Sequence, residues 1–168
     1  MTTHESKSRP DPQRSLVGFT VGSACYAVPI ANVREIMNPI AIQPLPHSPS
    51  VIVGVADHRG QVIPIVDLRV RFGLEPTMDM RRSKWILVSI EDRTIGLVVD
   101  KVTEVFGTAG RGLRPVPLLG GGEEARGIVG ITTHEEKMVF VLDLGAFANL
   151  EASAEVDNVH QLKGRMLE

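Results

Sequence analysis

The sequence of 168 residues is poor in cysteine, in aromatic side chains and in net charge, and each shortage excludes a class of protein. The single cysteine, Cys25, cannot form an internal disulfide, which is ordinary for a cytosolic protein. One Trp, one Tyr and five Phe are too few for a platform on which nucleic-acid bases stack. The net charge of −2 also argues against a nucleic-acid partner, which would require a basic face.

Long apolar stretches are missing as well. No run of about 18 apolar residues occurs, so we expect no segment inserted in a membrane. Residues 1–15 are polar, lack the apolar core of a signal peptide and are predicted to form a flexible arm. With 43% hydrophobic residues, the remainder can build a packed core. The sequence therefore predicts a soluble, cytoplasmic protein.

From residue 16 onward, short runs of Val and Ile alternate with Gly, Pro and Asp, a pattern typical of β proteins. The predicted strands are residues 16–21, 26–28, 40–44, 51–56, 62–68, 85–90, 94–99, 113–116, 128–132 and 137–142. Residues 30–37 and 100–106 are predicted to form one or two helical turns each. Residues 151–168 form either a terminal amphipathic helix or a frayed tail.

An internal repeat relates the two halves of the chain. The offset is 69 positions at first and 76 after a glycine-rich insertion at residues 119–124. The matched pairs are 16–20 with 85–89, VREI at 33–36 with VTEV at 102–105, Pro46 with Pro115, IVGV at 52–55 with IVGI at 128–131, and IPIVDL at 63–68 with VFVLDL at 139–144. Several matches in one order indicate a tandem duplication.

Each copy has about 60 residues, too few for a sandwich but suited to a small closed barrel, which has no exposed sheet edges. Small barrels bury modest cores, so the two copies should pack on each other. The sequence therefore predicts an all-β fold of two tandem, packed five-stranded barrels, with barrel 1 at residues 16–80 and barrel 2 at 81–150. Pro64 is expected at a sheet edge or a bulge, because proline cannot donate to a ladder.

No arrangement of residues indicates catalysis or a cofactor. The chain has no G-x-S-x-G motif, and the glycines at 110–112 and 120–122 do not form a phosphate-binding loop. The histidines are scattered singly, without metal-ligand spacing, at His4, His47, His58, His134 and His160. Asp67 and Asp143, at equivalent repeat positions, are interpreted as turn or cap residues. These observations predict a binding adaptor with neither enzymatic activity nor a metal.

Residues 53–69, VGVADHRGQVIPIVDLR, closely resemble the signature of the CheW-type chemotaxis coupling proteins, typically G-V-x-N-L-R-G-x-x-x-P-x-x-D-L-R. Residues 26–30, 33–36 and 96–102 match as well, and the resemblance covers residues 16 to 150 in order. It implies two packed five-stranded SH3-like β-barrels without an activity of their own. It also implies two partners, the cytoplasmic tip of a chemoreceptor and the regulatory domain of a CheA-type histidine kinase.

The resemblance further implies a receptor-binding groove between the barrels. The residues carried over are Val33, Glu35 and Ile36 from the V-x-E-I segment, Arg59 from the hairpin, and Val99, Val102 and Val105 from the opposite wall. Arg59, on a tight turn before Gly60, would present a rigid fork to carboxylates or carbonyls of a receptor helix. An apolar groove would bind the apolar stripe of such a helix. Plain core packing is an equally good interpretation for some of the aliphatic residues.

Asp57 and His58 depart from the family pattern, which has Asn-Leu before the arginine. Asp57 is predicted either to pair with Arg59 and hold it in one pose or to neutralise part of its charge. His58 places an ionisable imidazole where the family has an apolar side chain. We therefore expect these two residues to set specificity, in a divergent pathway such as one controlling surface motility or pili.

Three alternatives stay open. A CheW-like protein could bind receptors without engaging a kinase, and so compete with or buffer the signalling array. A small β-barrel that binds a metabolite or acts as an enzyme would need a concave polar pocket with perturbed titratable groups, for which the sequence offers no candidate. A nucleic-acid-binding SH3-like barrel would need a stripe of Lys and Arg, and the sequence has none.

Overall fold

The computed structural model describes residues 14–108, 112–117 and 127–147, which contain ten strands. The strands are β1 (Ser15–Val21), β2 (Ala24–Pro29), β3 (Val33–Met37), β4 (Ile52–His58), β5 (Gln61–Asp67), β6 (Lys84–Ile90), β7 (Arg93–Val99), β8 (Lys101–Gly107), β9 (Ile128–His134) and β10 (Lys137–Leu142). The helical segments are the 3-10 turns Ile30–Asn32 and Met80–Arg82, the helix α1 (Leu68–Arg71) and residues 144–147.

Several predicted features fall wholly or partly outside the described residues. These are most of the predicted arm at residues 1–15, the insertion at 119–124 and the tail at 151–168. Ser15, assigned to the arm, is instead buried as the first residue of β1. Within the described part of the chain, no helix is both long and apolar enough to cross a membrane.

Each of the two five-stranded sheets takes strands from both halves of the chain. Sheet A has the order β8-β1-β2-β10-β9, and sheet B has the order β3-β6-β7-β5-β4. The duplication relates β1–β5 to β6–β10, so the first two strands of each repeat join the last three of the other. A boundary at residue 80 is therefore wrong for the sheets. The repeat identifies equivalent strands in the two copies. Because equivalent strands have the same edges for pairing, it does not show whether a strand pairs within its own copy or with the other copy.

The strand registers repeat along with the strand order. Met37 lies opposite Trp85 in sheet B, as its repeat equivalent Phe106 lies opposite Leu16 in sheet A. The parallel ladders match too, since Ala27 lies opposite Val141 as Gly96 lies opposite Ile65. The two sheets are thus the same structure assembled twice with the repeats exchanged.

The predicted helical turns at 30–37 and 100–106 are wrong, because β3 and β8 occupy most of these segments. Only Ile30–Asn32 forms a 3-10 turn. The register of each strand shifts once, between the partners of Val33 and Glu35 in β3 and between those of Val102 and Val105 in β8. A bulge of this kind adds one residue and places side chains three positions apart on the same face, which imitates helical spacing.

The predicted strands at 40–44 and 113–116 are reduced to single bridges, Gln43 with Val55 and Arg114 with Ile131. Prolines at 44, 46, 115 and 117 interrupt both segments, and proline has no N–H for a longer ladder. The two bridges make Gln43 equivalent to Arg114, an offset of 71. The predicted pairing of Pro46 with Pro115 is therefore wrong, since QPLP at 43–46 matches RPVP at 114–117.

Glycines allow these two crossing segments to approach β4 and β9. A Cβ atom on Gly54 would lie 2.3 Å from the carbonyl oxygen of Gln43, and one on Gly130 would lie 2.6 Å from Cβ of Leu113.

Pro64 does not lie on an edge strand as predicted, since β5 is an interior strand. The ladder to β7 begins only at Ile65, so Pro64 lies just outside it and no bond is lost.

Among the described residues, the side chains form three apolar cores, and the largest lies between the sheets. It joins Phe19 and Tyr26 of sheet A to Ile86 and Leu97 of sheet B. The smaller cores lie within single sheets, one built from Ile63, Ile65 and Trp85 among others and one from Leu16, Ala27 and Phe106 among others. The predicted packing of one barrel on the other is confirmed, and burial of this shared apolar surface is the main stabilising contribution.

A buried aspartate ends β5 and begins α1. The Asp67 carboxylate accepts hydrogen bonds from the backbone N–H of Arg69 at 3.1 Å and from the backbone N–H of Thr77 at 3.0 Å. Its repeat equivalent, Asp143, accepts from the backbone N–H of Gly145 at 3.1 Å. The prediction that both aspartates are caps is confirmed.

A bidentate ion pair joins the two sheets at the crossover from β7 to β8. Nε and Nη2 of Arg69 donate to the two carboxylate oxygens of Asp100 at 2.8 and 2.7 Å. Asp100 also accepts from the backbone N–H of Gly22 at 2.8 Å, and its own N–H donates to the carbonyl of Thr20 at 2.9 Å. Burial raises the pKa of Asp100, but the bonds from Arg69 and Gly22 outweigh it and hold that pKa below the ordinary 3.8.

We expect Arg69→Met to lower the free energy of unfolding by about 1–2 kcal/mol at pH 7, since it removes two charge-assisted hydrogen bonds. A carboxylate with a depressed pKa stabilises the fold fully above its unfolded pKa of about 3.9, and that contribution is lost as the pH falls through the folded pKa. The difference in the free energy of urea unfolding between wild type and variant should therefore shrink as the pH falls below the unfolded pKa of about 3.9 and through the folded pKa. A difference independent of pH, or an equal loss in the control Lys137→Met, would contradict this account.

Candidate functional site

The turn between β4 and β5 brings three of the predicted site residues together. Arg59 and Gly60 have φ angles of 52° and 81°, the left-handed pair typical of a two-residue hairpin turn. Glu35, on β3, reaches this turn from the far edge of sheet B. Its Oε2 lies 2.9 Å from Nε2 of His58, and its Oε1 accepts from Nη2 of Arg59 at 3.3 Å. The Arg59 side chain is 77% exposed, so its guanidinium is presented to solvent.

Asp57 contacts the backbone of the turn rather than Arg59. Its Oδ1 accepts a hydrogen bond from the N–H of Gly60 at 3.0 Å. The predicted pairing of Asp57 with Arg59 is wrong, because the ion pair that the structure describes for Arg59 is with Glu35. An aspartate side chain that accepts from the backbone a few residues ahead stabilises the turn itself.

The contact between Glu35 and His58 also closes the barrel. Since β3 and β4 are the two edge strands of sheet B, this contact joins its open edges. Sheet A has the same closure, since Glu104 on β8 lies 2.7 Å from Nε2 of His134 on β9. The His134 ring stacks on Phe106 with ring centroids 4.1 Å apart. The sequence interpretation missed both pairs, although the offsets of 69 and 76 place one acid–imidazole pair on the other.

The two hairpin tips differ in charge although their backbones are alike. Glu135 and Glu136 occupy the positions of Arg59 and Gly60, with φ angles of 48° and 64°. The ligand atoms of Glu104, His134 and Glu135 all lie within 4.8 Å of one another, so these residues could hold a cation. The arginine thus belongs to one tip and the acids to the other.

The predicted apolar wall residues do not share one environment. Ile36, 45% exposed, and Val102 line a common depression of 480 Å³ between β3 and the start of β8. Val33 and Val102 pack against the central core, and Val105 is as exposed as Ile36. Val99, at 1% exposed, lies in that core. Its predicted groove role is wrong, because its side chain is buried, as are those of all β7 residues after Arg93.

Basic side chains line this depression as well as apolar ones. Arg82, Lys84 and Lys101 line it together with Ile36, Met37 and Val102. A second depression, of 410 Å³, shares Arg82 and Lys101 and extends to the loop at residues 75–79. Sequence reasoning missed this cluster, because Arg82 and Lys84 share one segment but Lys101 comes from another.

We expect Glu35→Gln to change the free energy of unfolding by less than about 1 kcal/mol, since the pair with Arg59 is exposed and the glutamine amide can still hydrogen-bond to His58. The substitution keeps the side-chain shape but removes the charge that holds the Arg59 guanidinium. Arg59 should therefore become more mobile, measured as a lower heteronuclear NOE at its Nε. Glu104→Gln, in the equivalent pair, is the matched control and should leave Arg59 unaffected. Unchanged mobility of Arg59 in Glu35→Gln would show that the pair does not hold it.

The chain is similar to proteins of one family over most of its length. A sequence model of that family, the CheW-like domain, matches residues 15–152. The probable chemotaxis protein CheW of Rhizobium etli is 31% identical over 149 residues, covering 88% of this chain and 96% of that protein. The chemotaxis protein CheW of Rhizobium meliloti is 31% identical over 142 residues, covering 84% and 92%. The crystal structure of the scaffolding protein TtCheW from Thermoanaerobacter tengcongensis superimposes with a TM-score of 0.71 at 28% identity, covering 78% of this chain and 89% of that one.

Proposed function

The chain belongs to the CheW-like domain family, and from that membership we propose that it is a non-catalytic adaptor coupling a chemoreceptor to a CheA-type histidine kinase. Membership confirms the predicted fold of two packed, five-stranded SH3-like barrels. The observation that carries the proposal is the exposed Arg59 guanidinium, held by Glu35 on the same strand as Ile36. One strand thus connects the charged tip to the apolar depression.

The receptor site in this proposal combines a charged anchor with an apolar seat. Arg59 offers a planar fork to carboxylates or backbone carbonyls at the cytoplasmic tip of a receptor. Ile36 and Val102 receive apolar side chains of the same helix, and exposed Val105 extends this surface along β8. Val33 packs against the core beneath this apolar surface, and Val99 has a structural role only.

The kinase regulatory domain is proposed to bind at the barrel ends, away from this groove. Individual affinities need only be micromolar, about −8 kcal/mol, because an array links many weak contacts. Charges at the exposed rim then serve to select the partner and steer its approach more than to tighten it.

We expect Arg59→Glu to reduce co-sedimentation with a receptor cytoplasmic fragment and kinase at least about tenfold, since it repels the carboxylates that arginine would bind. The Arg59 side chain is mostly exposed, so the thermal midpoint should stay within a few degrees of wild type. Lys137→Glu is the matched control, an exposed basic residue at the start of β10. Equal co-sedimentation of both folded variants would disprove the site. Retained receptor binding by wild type without kinase recruitment would favour an adaptor that buffers receptors instead.

His58 is proposed to determine which receptors bind, through its contact with Glu35. Asn in place of Asp57 still offers an oxygen to the N–H of Gly60, whereas Leu in place of His58 leaves Glu35 with Arg59 alone. We therefore expect the double change Asp57→Asn, His58→Leu to shift preference among the host's receptors, measured by competitive co-sedimentation. His58→Leu alone should reproduce the shift and Asp57→Asn alone should not. An unchanged ranking of receptors in the double variant rejects the specificity role.

A further inference from the structure

We propose that the helix bound in the groove carries carboxylates between its apolar contacts, and that these pair with a basic strip formed by Arg82, Lys84 and Lys101. The inference rests on the proposed function and adds the chemistry of the partner. Apolar contact alone would accept any amphipathic helix, so the strip decides which helix is selected.

The basic strip lies within the groove rather than beside it. All three side chains line the 480 Å³ depression whose apolar part is Ile36, Met37 and Val102. Arg82 and Lys101 also line the neighbouring 410 Å³ depression, so they stand where the two meet. A helix lying along both depressions would pass its middle over the strip.

In the 480 Å³ depression the strip has an excess of positive charge, although the chain as a whole carries −2. The acidic side chain that lines both depressions is Asp100, and its two oxygens already accept from Arg69 and from the backbone of Gly22. The Lys84 ammonium donates to the amide oxygen of Asn38, which is neutral. Asp79 contacts Arg82 at 3.6 Å but is shared with Arg81 at 3.5 Å. The lining of the first depression therefore holds three basic groups against one acid, whereas acids and bases balance in the lining of the second.

A second apolar contact lies on the other side of the strip. Met78, in the wall of the 410 Å³ depression, is 95% exposed. The adjacent Thr77 is fixed by its backbone N–H and hydroxyl to buried Asp67, at 3.0 and 3.1 Å, so the loop presents Met78 from an anchored position. A thioether on a flexible stem suits an apolar partner of irregular shape.

From Ile36 to Met78, the side chains that line the groove are thus apolar, then basic, then apolar again. The complementary helix has apolar residues about two turns apart and Glu or Asp one turn from each, on the same face. Carboxylates there would meet exposed ammonium and guanidinium groups, whose attraction to opposite charges is screened by salt.

The test uses three synthetic amphipathic helices with the same apolar residues and with Glu, Gln or Lys at the intervening positions. Each carries a fluorophore, and its anisotropy is measured on titration with the full chain. We expect the Glu helix to bind about tenfold more tightly than the Lys helix at 50 mM salt, with Gln between them, and the gap to narrow at 500 mM salt. Equal affinities, or no binding by any of the three, would overturn the inference.

Charge reversal in the protein provides the second half of the test. The double variant Lys84→Glu, Lys101→Glu should reverse the order of the helices, while the exposed control Lys137→Glu should leave it unchanged. Both lysines of the strip are exposed, so urea unfolding should be close to wild type. An unreversed order in the folded double variant also overturns the inference, and would point to another occupant such as a second copy of the chain.

The two proposals fail in different ways. Normal co-sedimentation with receptor and kinase by the Lys84→Glu, Lys101→Glu variant would reject the strip and leave the adaptor function standing. Absent co-sedimentation by wild type, together with the expected order of synthetic helices, would reject the coupling function and leave an acid-selective groove.

Discussion

The exchange of strands between the repeats is the constraint on which the rest of the structure depends. The first two strands of each repeat form a sheet with the last three strands of the other repeat. Neither repeat therefore forms a complete sheet from its own strands. The largest core then forms between the sheets and joins residues far apart in sequence, such as Phe19 and Leu97. The groove follows from this arrangement, because its two walls, β3 and the start of β8, belong to different sheets. The pair of Arg69 with Asp100 fixes the crossover from which one wall begins.

The two barrels have the same backbone arrangement but differ in the charged side chains at their hairpin tips. An acid–imidazole contact closes each barrel in the same way, between Glu35 and His58 and between Glu104 and His134. Around these shared contacts, one hairpin tip adds an exposed guanidinium and the other adds two carboxylates. A surface that must tell one partner from another needs such differences, because a symmetric pair of barrels would present the same face twice.

Local patterns predicted the strands, but not their partners. Alternating Val and Ile and the repeat offsets led to the correct fold class and to most strands. The bulges in β3 and β8 were misread as helical turns, since side chains three apart share a face in both cases. Val99 was misplaced because a motif match does not reveal whether a strand is interior. The contact of Glu35 with His58 joins distant segments, and so does the approach of Lys101 to Arg82 and Lys84. A pattern within one segment does not predict such contacts.

Strand exchange also bears on how such a chain arises. A polypeptide with a single repeat would have the same pairing edges, and two identical copies could satisfy them as a dimer by swapping their last three strands. Joining two such copies in one chain makes the pairing independent of concentration, since the copies are tethered. Once fused, the two tips are encoded separately. One tip can then have an arginine and the other glutamates. A dimer of identical copies would have the same residues at both tips.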